Sequence, residues 1–296
     1  VNGRPIVVGI DGSEAGAYAL AWAAAEAERK GVELLVAHAT DTVPRAALSR
    51  ATVTTVLKEC DEFGQQLLAE AARKVIDTHP GVQVTVVLRA ENPVDLLTDL
   101  SRTALMLVVA THGDGQFTGA LRGSVSQRVA AHAICPVVVI AQHGGGATEH
   151  RRVVVGVSGS PHGLHALRFA FQEAKDRDAT LMAVRAYGVF GRSAHAQIFG
   201  ALPGFRRSED RILRESIATV SLEFPGVTVD PALVEEPPHD ALPRLAADAD
   251  LLVVGCHYDD THWPSRLGPV ASMLLHRSPC PIAIVGFDAA AILATV

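Results

Sequence analysis

The sequence predicts an α/β protein made of two tandem doubly wound domains, each a five-stranded parallel sheet flanked by helices. Three observations predict it. The 296 residues suit two domains of about 150 better than one. The first half of the chain reappears in the second. Within each half, short β-branched runs alternate with longer segments of helical period, the pattern of parallel strands covered by helices on both faces.

The repeat fixes the organisation. Pro5-Ile6-Val7-Val8-Gly9-Ile10-Asp11-Gly12-Ser13 returns as Arg152-Val153-Val154-Val155-Gly156-Val157-Ser158-Gly159-Ser160, displaced by 147 positions. Val36-Ala37-His38-Ala39 returns as Ala183-Val184-Arg185-Ala186 at the same displacement, so the register survives a strand, a helix and a second strand. Cys135-Pro136-Val137-Val138-Val139-Ile140 matches Cys280-Pro281-Ile282-Ala283-Ile284-Val285 at 145. Between the copies, Gly144-Gly145-Gly146 favours a flexible connection over strand or helix. The expected domains are therefore 1–141 and 152–296, joined by a linker over 142–151.

In copy one the strands are expected at Ile6–Ile10, Glu33–His38, Gln83–Arg89, Leu105–Ala110 and Val137–Ile140. Helices are expected at Ala15–Arg29, in a long segment ending near His79, and at Pro93–Ser101 and Ser124–His132. Copy two repeats the strands at Val153–Val157, Leu181–Ala186, Thr228–Val234, Leu251–Gly255 and Ile282–Val285. The fifth strand of each copy is apolar, so packing between copies or in a dimer is expected to cover it.

Composition narrows the function. The net charge is −6 and the Lys and Arg residues are scattered, which gives nucleic acid no platform. No apolar stretch reaches the length of a membrane span, and the first residues enter a strand-like run without a signal-peptide layout, so a cytoplasmic protein is expected. Cys60, Cys135, Cys256 and Cys280 form neither a C-x-x-C pair nor a zinc pattern, and are read as core or surface thiols. The thirteen histidines are dispersed, and no metal site is expected.

Doubly wound sheets bind ligands beyond the carboxyl ends of their strands, where the winding reverses. In copy one these ends carry Asp11-Gly12-Ser13, Ala39-Thr40-Asp41 and Thr111-His112-Gly113. After Ala110-Thr111-His112-Gly113 come nine residues, then Gly123-Ser124-Val125-Ser126 opening a helix. Glycines let backbone approach a polyphosphate, and a helix start offers unpaired N–H groups and a positive dipole end. Ser124 and Ser126 add hydroxyls, and Asp11 is an acceptor suited to a ribose hydroxyl or a base amino group. The alternative for Asp11-Gly12-Ser13 is a turn and helix cap, and Gly123-Ser124 likewise caps the following helix; capping and phosphate binding use the same donors.

This pattern resembles the universal stress proteins, whose nucleotide-binding members carry G-x-x-G, nine residues and G-[ST], with an Asp ending the first strand. The resemblance spans both copies and implies a tandem member. It implies a sheet ordered 3-2-1-4-5, ATP as the bound nucleotide and dimer contacts involving the fifth strand. Carried over by position, Asp11 faces the adenosine, Ala39 meets the base through its backbone, and Gly113, Gly123, Ser124 and Ser126 line the phosphates. Gly9 and Val125 fall in the same stretches. The first motif glycine is Ala110 here, whose methyl group is either accommodated or weakens binding.

Copy two departs further. Gly255 and Gly268 keep the first and third glycine positions, but Tyr258 replaces the second, Pro269 replaces the hydroxyl residue and Ser158 replaces the Asp. Pro269 removes an N–H as well as a hydroxyl, and Asp259-Asp260 adds negative charge where a polyphosphate would sit. ATP is therefore expected in the first domain only.

No nucleophile elbow, paired-carboxylate site or P-loop with its Lys is present, so no catalytic residue is assigned and binding without rapid turnover is expected. The expected function is an ATP-binding stress-response regulator with the first domain as sensor, acting with a protein partner. The alternatives are a nucleotide-independent interaction module and a slow ATPase or self-phosphorylating protein.

Overall fold

The computed structural model describes residues 3–40, 50–111, 124–141, 149–161, 163–188, 203–256 and 267–286. The chain separates into two compact units, residues 1–142 and 143–295. In the first, the order is β1 (Ile6–Gly9), α1 (Glu14–Lys30), β2 (Leu34–Ala39), α2 (Arg50–Thr78), β3 (Val84–Arg89), α3 (Pro93–Leu100), β4 (Met106–Ala110), α4 (Ser124–His132) and β5 (Val137–Ile140). All pairings are parallel, in the order β3-β2-β1-β4-β5. This is the order that the family resemblance implied.

The second unit runs β6 (Arg152–Gly156), α5 (Gly163–Asp176), β7 (Thr180–Ala186), α6 (Pro203–Ser221), β8 (Val229–Val234), α7 (Pro238–Leu245), β9 (Leu251–Gly255), α8 (Gly268–Leu274) and β10 (Ile282–Val285). Its strands lie in the order β10-β9-β6-β7-β8, again parallel. The expected bounds differ from these by a residue or so at several ends, because patterning marks the apolar core of an element better than its last hydrogen bond.

The central strands are buried on both faces, which is why they read as unbroken apolar runs. Ile6, Val7 and Val8 of β1 are buried, as are Met106, Leu107 and Val108 of β4. Small side chains on α1, among them Ala15, Ala19, Ala23 and Ala27, are buried, a face that lets the helix approach the sheet closely. The order leaves β3 and β8 at an edge of their own unit's sheet. Pro231 sits within β8, where a missing N–H costs no internal ladder bond.

The duplication extends to a charge in the core. Glu26 of α1 is fully buried and pairs with Arg29 at 2.5 Å and Lys30 at 3.3 Å. Its counterpart Glu173 of α5 is equally buried and pairs with Arg177. A buried carboxylate is tolerated only when paired, so each copy supplies its own cation one turn along the same helix. All four cysteines are free thiols. Burial pushes the Cys135 and Cys280 thiols up to about 12, which leaves them protonated and unreactive at neutral pH.

Candidate functional site

The winding of the first unit reverses between β1 and β4. From β1 the chain steps to β2 and β3 on one side, then crosses to β4 and β5 on the other. Gly9 pairs with Ala37 and Val8 with Val108. Extending that register sets Asp11 beside Ala39 on one flank and beside the Ala110-Thr111 step on the other. Four of the expected positions, Gly9, Asp11, Ala39 and Ala110, therefore meet at one set of strand ends. The strand tips are fixed by main-chain bonds: Ile10 N–H donates to the Ala37 carbonyl at 3.0 Å, and Thr111 N–H to the Ile140 carbonyl at 2.9 Å.

Asp11 is exposed, and one carboxylate oxygen organises the turn below it. Asp11 Oδ1 accepts from Ser13 N–H at 3.0 Å and from the Ser13 hydroxyl at 2.6 Å. Ser13 Oγ in turn accepts from Gly16 N–H at 3.0 Å, which makes Ser13 the N-cap of α1. The turn-and-cap arrangement is thus present. Asp11 Oδ2 has no partner among the described residues. Ser13→Ala removes the cap, and a stability loss of about 1 kcal/mol in urea denaturation is expected.

Glycines around this turn answer to different demands. A Cβ on Gly9 would come within 3.0 Å of Leu97 Cδ1, so its missing side chain admits α3 against the strand. A Cβ on Gly16 would meet Asp11 Oδ1 at 3.0 Å, so this glycine makes room for the carboxylate. Gly12 holds φ +84°, a left-handed conformation that favours glycine. No motif marks Gly16; its only signal in the sequence is that the repeat carries Gly163 at the same place.

Two further residues, marked by no motif, stand beside the end of β1. The His38 ring donates from Nδ1 to the Ile10 carbonyl at 2.8 Å, which fixes its tautomer and braces the tip of β1. Phe63 of α2 lies edge-on to that ring with centroids 6.1 Å apart and remains 56% exposed, an apolar surface beside Gly12. A lone Phe in a long helix gave no sign of this proximity.

Of the motif itself, Gly113 and Gly123 lie outside the described residues, as do Tyr258, Asp259, Asp260 and most of the expected linker. Ser124 opens α4, Val125 is half-buried and Ser126 is buried at 6% exposure. Ser126 therefore belongs to the packed side of the helix start.

The second unit repeats the geometry with altered chemistry. Ser160 caps the start of α5 by accepting from Gly163 N–H at 3.1 Å, and Ser158, at the Asp11 position, bonds the Ser160 hydroxyl at 2.8 Å. Arg185 replaces His38 and does the same bracing work, donating from Nη1 to the carbonyls of Val157 and Ser158. Its Nε pairs with Glu209 at 2.7 Å. Beyond these strand ends lies a cavity of about 250 Å³, lined among others by Gly156, Arg185, Leu242, Gly255, Cys256 and Pro269. Among the described residues, no three His, Cys, Asp or Glu side chains gather to hold a metal ion. No helix among them is long and apolar enough to cross a membrane.

Comparison with known proteins gives one family. The model of the Universal stress protein family matches the chain twice, over residues 3–141 and 149–286. A universal stress protein of Mycobacterium tuberculosis is 29% identical over 286 residues, covering 94% of this chain and 95% of its own length. A second from the same species is 30% identical over 297 residues, with 94% of each covered. The crystal structure of a universal stress protein from Archaeoglobus fulgidus has the same fold, with a TM-score of 0.71 at 19% identity, covering 95% of this chain and 96% of that one. On these matches, and on a parallel sheet repeated in the same order in both halves, the chain belongs to the universal stress protein family as a tandem member.

Proposed function

We propose that this chain is an ATP-binding stress-response regulator, with its first unit as the nucleotide sensor. The observation that carries the reading is the meeting of Asp11, Ala39 and Ala110 at the reversal point of the first sheet, with α4 beginning directly after the glycine motif. In this reading Asp11 Oδ2 accepts from a ribose hydroxyl, the backbone at Ala39 meets the base edge, and Phe63 offers an apolar rim. Gly113, Gly123 and Ser124 surround the phosphates, and the main chain at Val125 and Ser126 faces them, with N–H groups and the positive end of α4 carrying the interaction. The sequence carries no P-loop with its Lys, so in this reading the bound nucleotide acts as a signal and is not turned over rapidly. Cytoplasmic location, homodimer formation and a protein partner that reads the bound state belong to the same proposal.

Asp11→Ala tests it by isothermal titration with ATP. A hydrogen bond to a charged group contributes about 1.5–3 kcal/mol, so affinity is expected to fall roughly 10- to 100-fold. Ser13→Ala is the control, because it weakens the cap while leaving the carboxylate in place. Unchanged affinity in Asp11→Ala, or an equal loss in both variants, would remove Asp11 from the site.

A further inference from the structure

We propose that the crevice of the second unit binds an uncharged, phosphate-free molecule of nucleoside size. This goes beyond the ATP reading, concerns the other unit and does not depend on that reading. The cavity lies at the carboxyl ends of β6, β7 and β9, between the start of α8 and the side of α7. Its volume of about 250 Å³ is below the range of roughly 300–1,000 Å³ typical of drug-sized ligand sites, which favours a small ring system over a nucleoside triphosphate. Its walls are largely apolar, with Val157, Val184, Leu242, Val254, Leu267 and Val270 among them.

Charge decides the ligand class. Among the described lining residues the only ionic side chain is Arg185, and its charge is already matched by Glu209 at 2.7 Å. Its Nη1 is committed to the Val157 and Ser158 carbonyls. A phosphate entering here would lose water and find no uncompensated cation among the described lining residues. Pro269, in the first turn of α8, lacks the N–H that Ser124 carries at the matching place in the first unit. Ser158 sets a neutral hydroxyl where the first unit has the Asp11 carboxylate. An uncharged ligand incurs none of these penalties, and it meets the Ser158 hydroxyl, the Cys256 thiol and exposed backbone as polar partners.

Gly255 is the second observation. A Cβ there would lie 3.5 Å from the Ala166 Cβ and 3.8 Å from the Gly163 Cα, which are ordinary contacts. Neither neighbouring side chains nor a positive φ requires glycine at this position, in contrast to Gly156, whose Cβ would meet Leu242 Cδ1 at 3.1 Å. What glycine at 255 does is leave bare main chain on the cavity wall, where a ligand approaches. In the first unit the matching residue is Ala110.

The test is calorimetric titration of adenosine into the full chain in the presence of saturating ATP. Adenosine is the probe because it is uncharged and flat, and it keeps base and ribose without phosphate. One equivalent is expected to bind, with no displacement on raising ATP further. Val270→Phe, at a half-buried position facing the cavity, is expected to weaken this adenosine binding at least about tenfold by occupying the space. ATP titration of the same variant reports the first unit separately and is expected to be unchanged. The proposal is overturned if no adenosine binds under ATP, if ATP displaces it, or if Val270→Phe leaves its affinity intact while circular dichroism shows the variant folded.

Discussion

Gly123→Asp is expected to abolish measurable ATP binding while leaving the protein as stable as the parent or slightly more so. Gly123 directly precedes Ser124, where α4 begins. Aspartate just ahead of a helix satisfies its first N–H groups and complements the dipole, so folding does not suffer. The same carboxylate stands among the donors assigned to the phosphates. Like charges about 4 Å apart repel by roughly 4 kcal/mol at the effective dielectric constant of a protein surface, or about a thousandfold in affinity. Calorimetry with ATP and a thermal melt on the same sample separate the two effects. Retained affinity would show that the helix start does not carry the phosphates.

Phe171→Ala is expected to cost about 3–5 kcal/mol of stability in the second unit. Phe171 of α5 is fully buried and stacks on Phe224 with ring centroids 5.4 Å apart and planes 24° from parallel. Truncation forfeits the transfer of the ring from water, its contact with Phe224 and the packing around the cavity left behind. Urea denaturation followed by circular dichroism measures the loss. A change below about 1 kcal/mol would mean that the surrounding helix and strands close over the space.

The first variant addresses the helix start proposed to receive the phosphates in the first unit, and the second addresses the core behind the sheet of the second unit. The sheet was legible because its strands are buried on both faces and so appear as runs such as Ile6-Val7-Val8 and Leu251-Leu252-Val253-Val254. The repeat then supplied a second reading of each element in an independent context. The position of Asp11 just past the end of β1 was legible for a related reason, since residues at strand ends follow directly from where strands end.

What stayed hidden depends on which side chains meet across the fold. Gly9 read as part of a ligand-binding stretch, yet its closest demand comes from Leu97, nearly ninety positions away in sequence. Gly16 makes room for Asp11, which no spacing rule announces. Arg185 appeared only as a mismatch to His38. Both turn out to brace the first strand of their unit, one by an imidazole N–H and the other by a guanidinium already neutralised by Glu209. The three substitutions at Ser158, Tyr258 and Pro269 suggested a damaged copy of one pocket. With the cavity of the second unit in view, Ser158 and Pro269 fit a pocket adapted to a ligand without charge.

One unit of the pair is proposed to hold ATP. Calorimetric titration of the purified, nucleotide-stripped chain with ATP tests it most directly. A single site per chain is expected, lost in Gly123→Asp and preserved in Val270→Phe. Two equivalent sites, or a single site that survives Gly123→Asp and disappears in Val270→Phe, would contradict it.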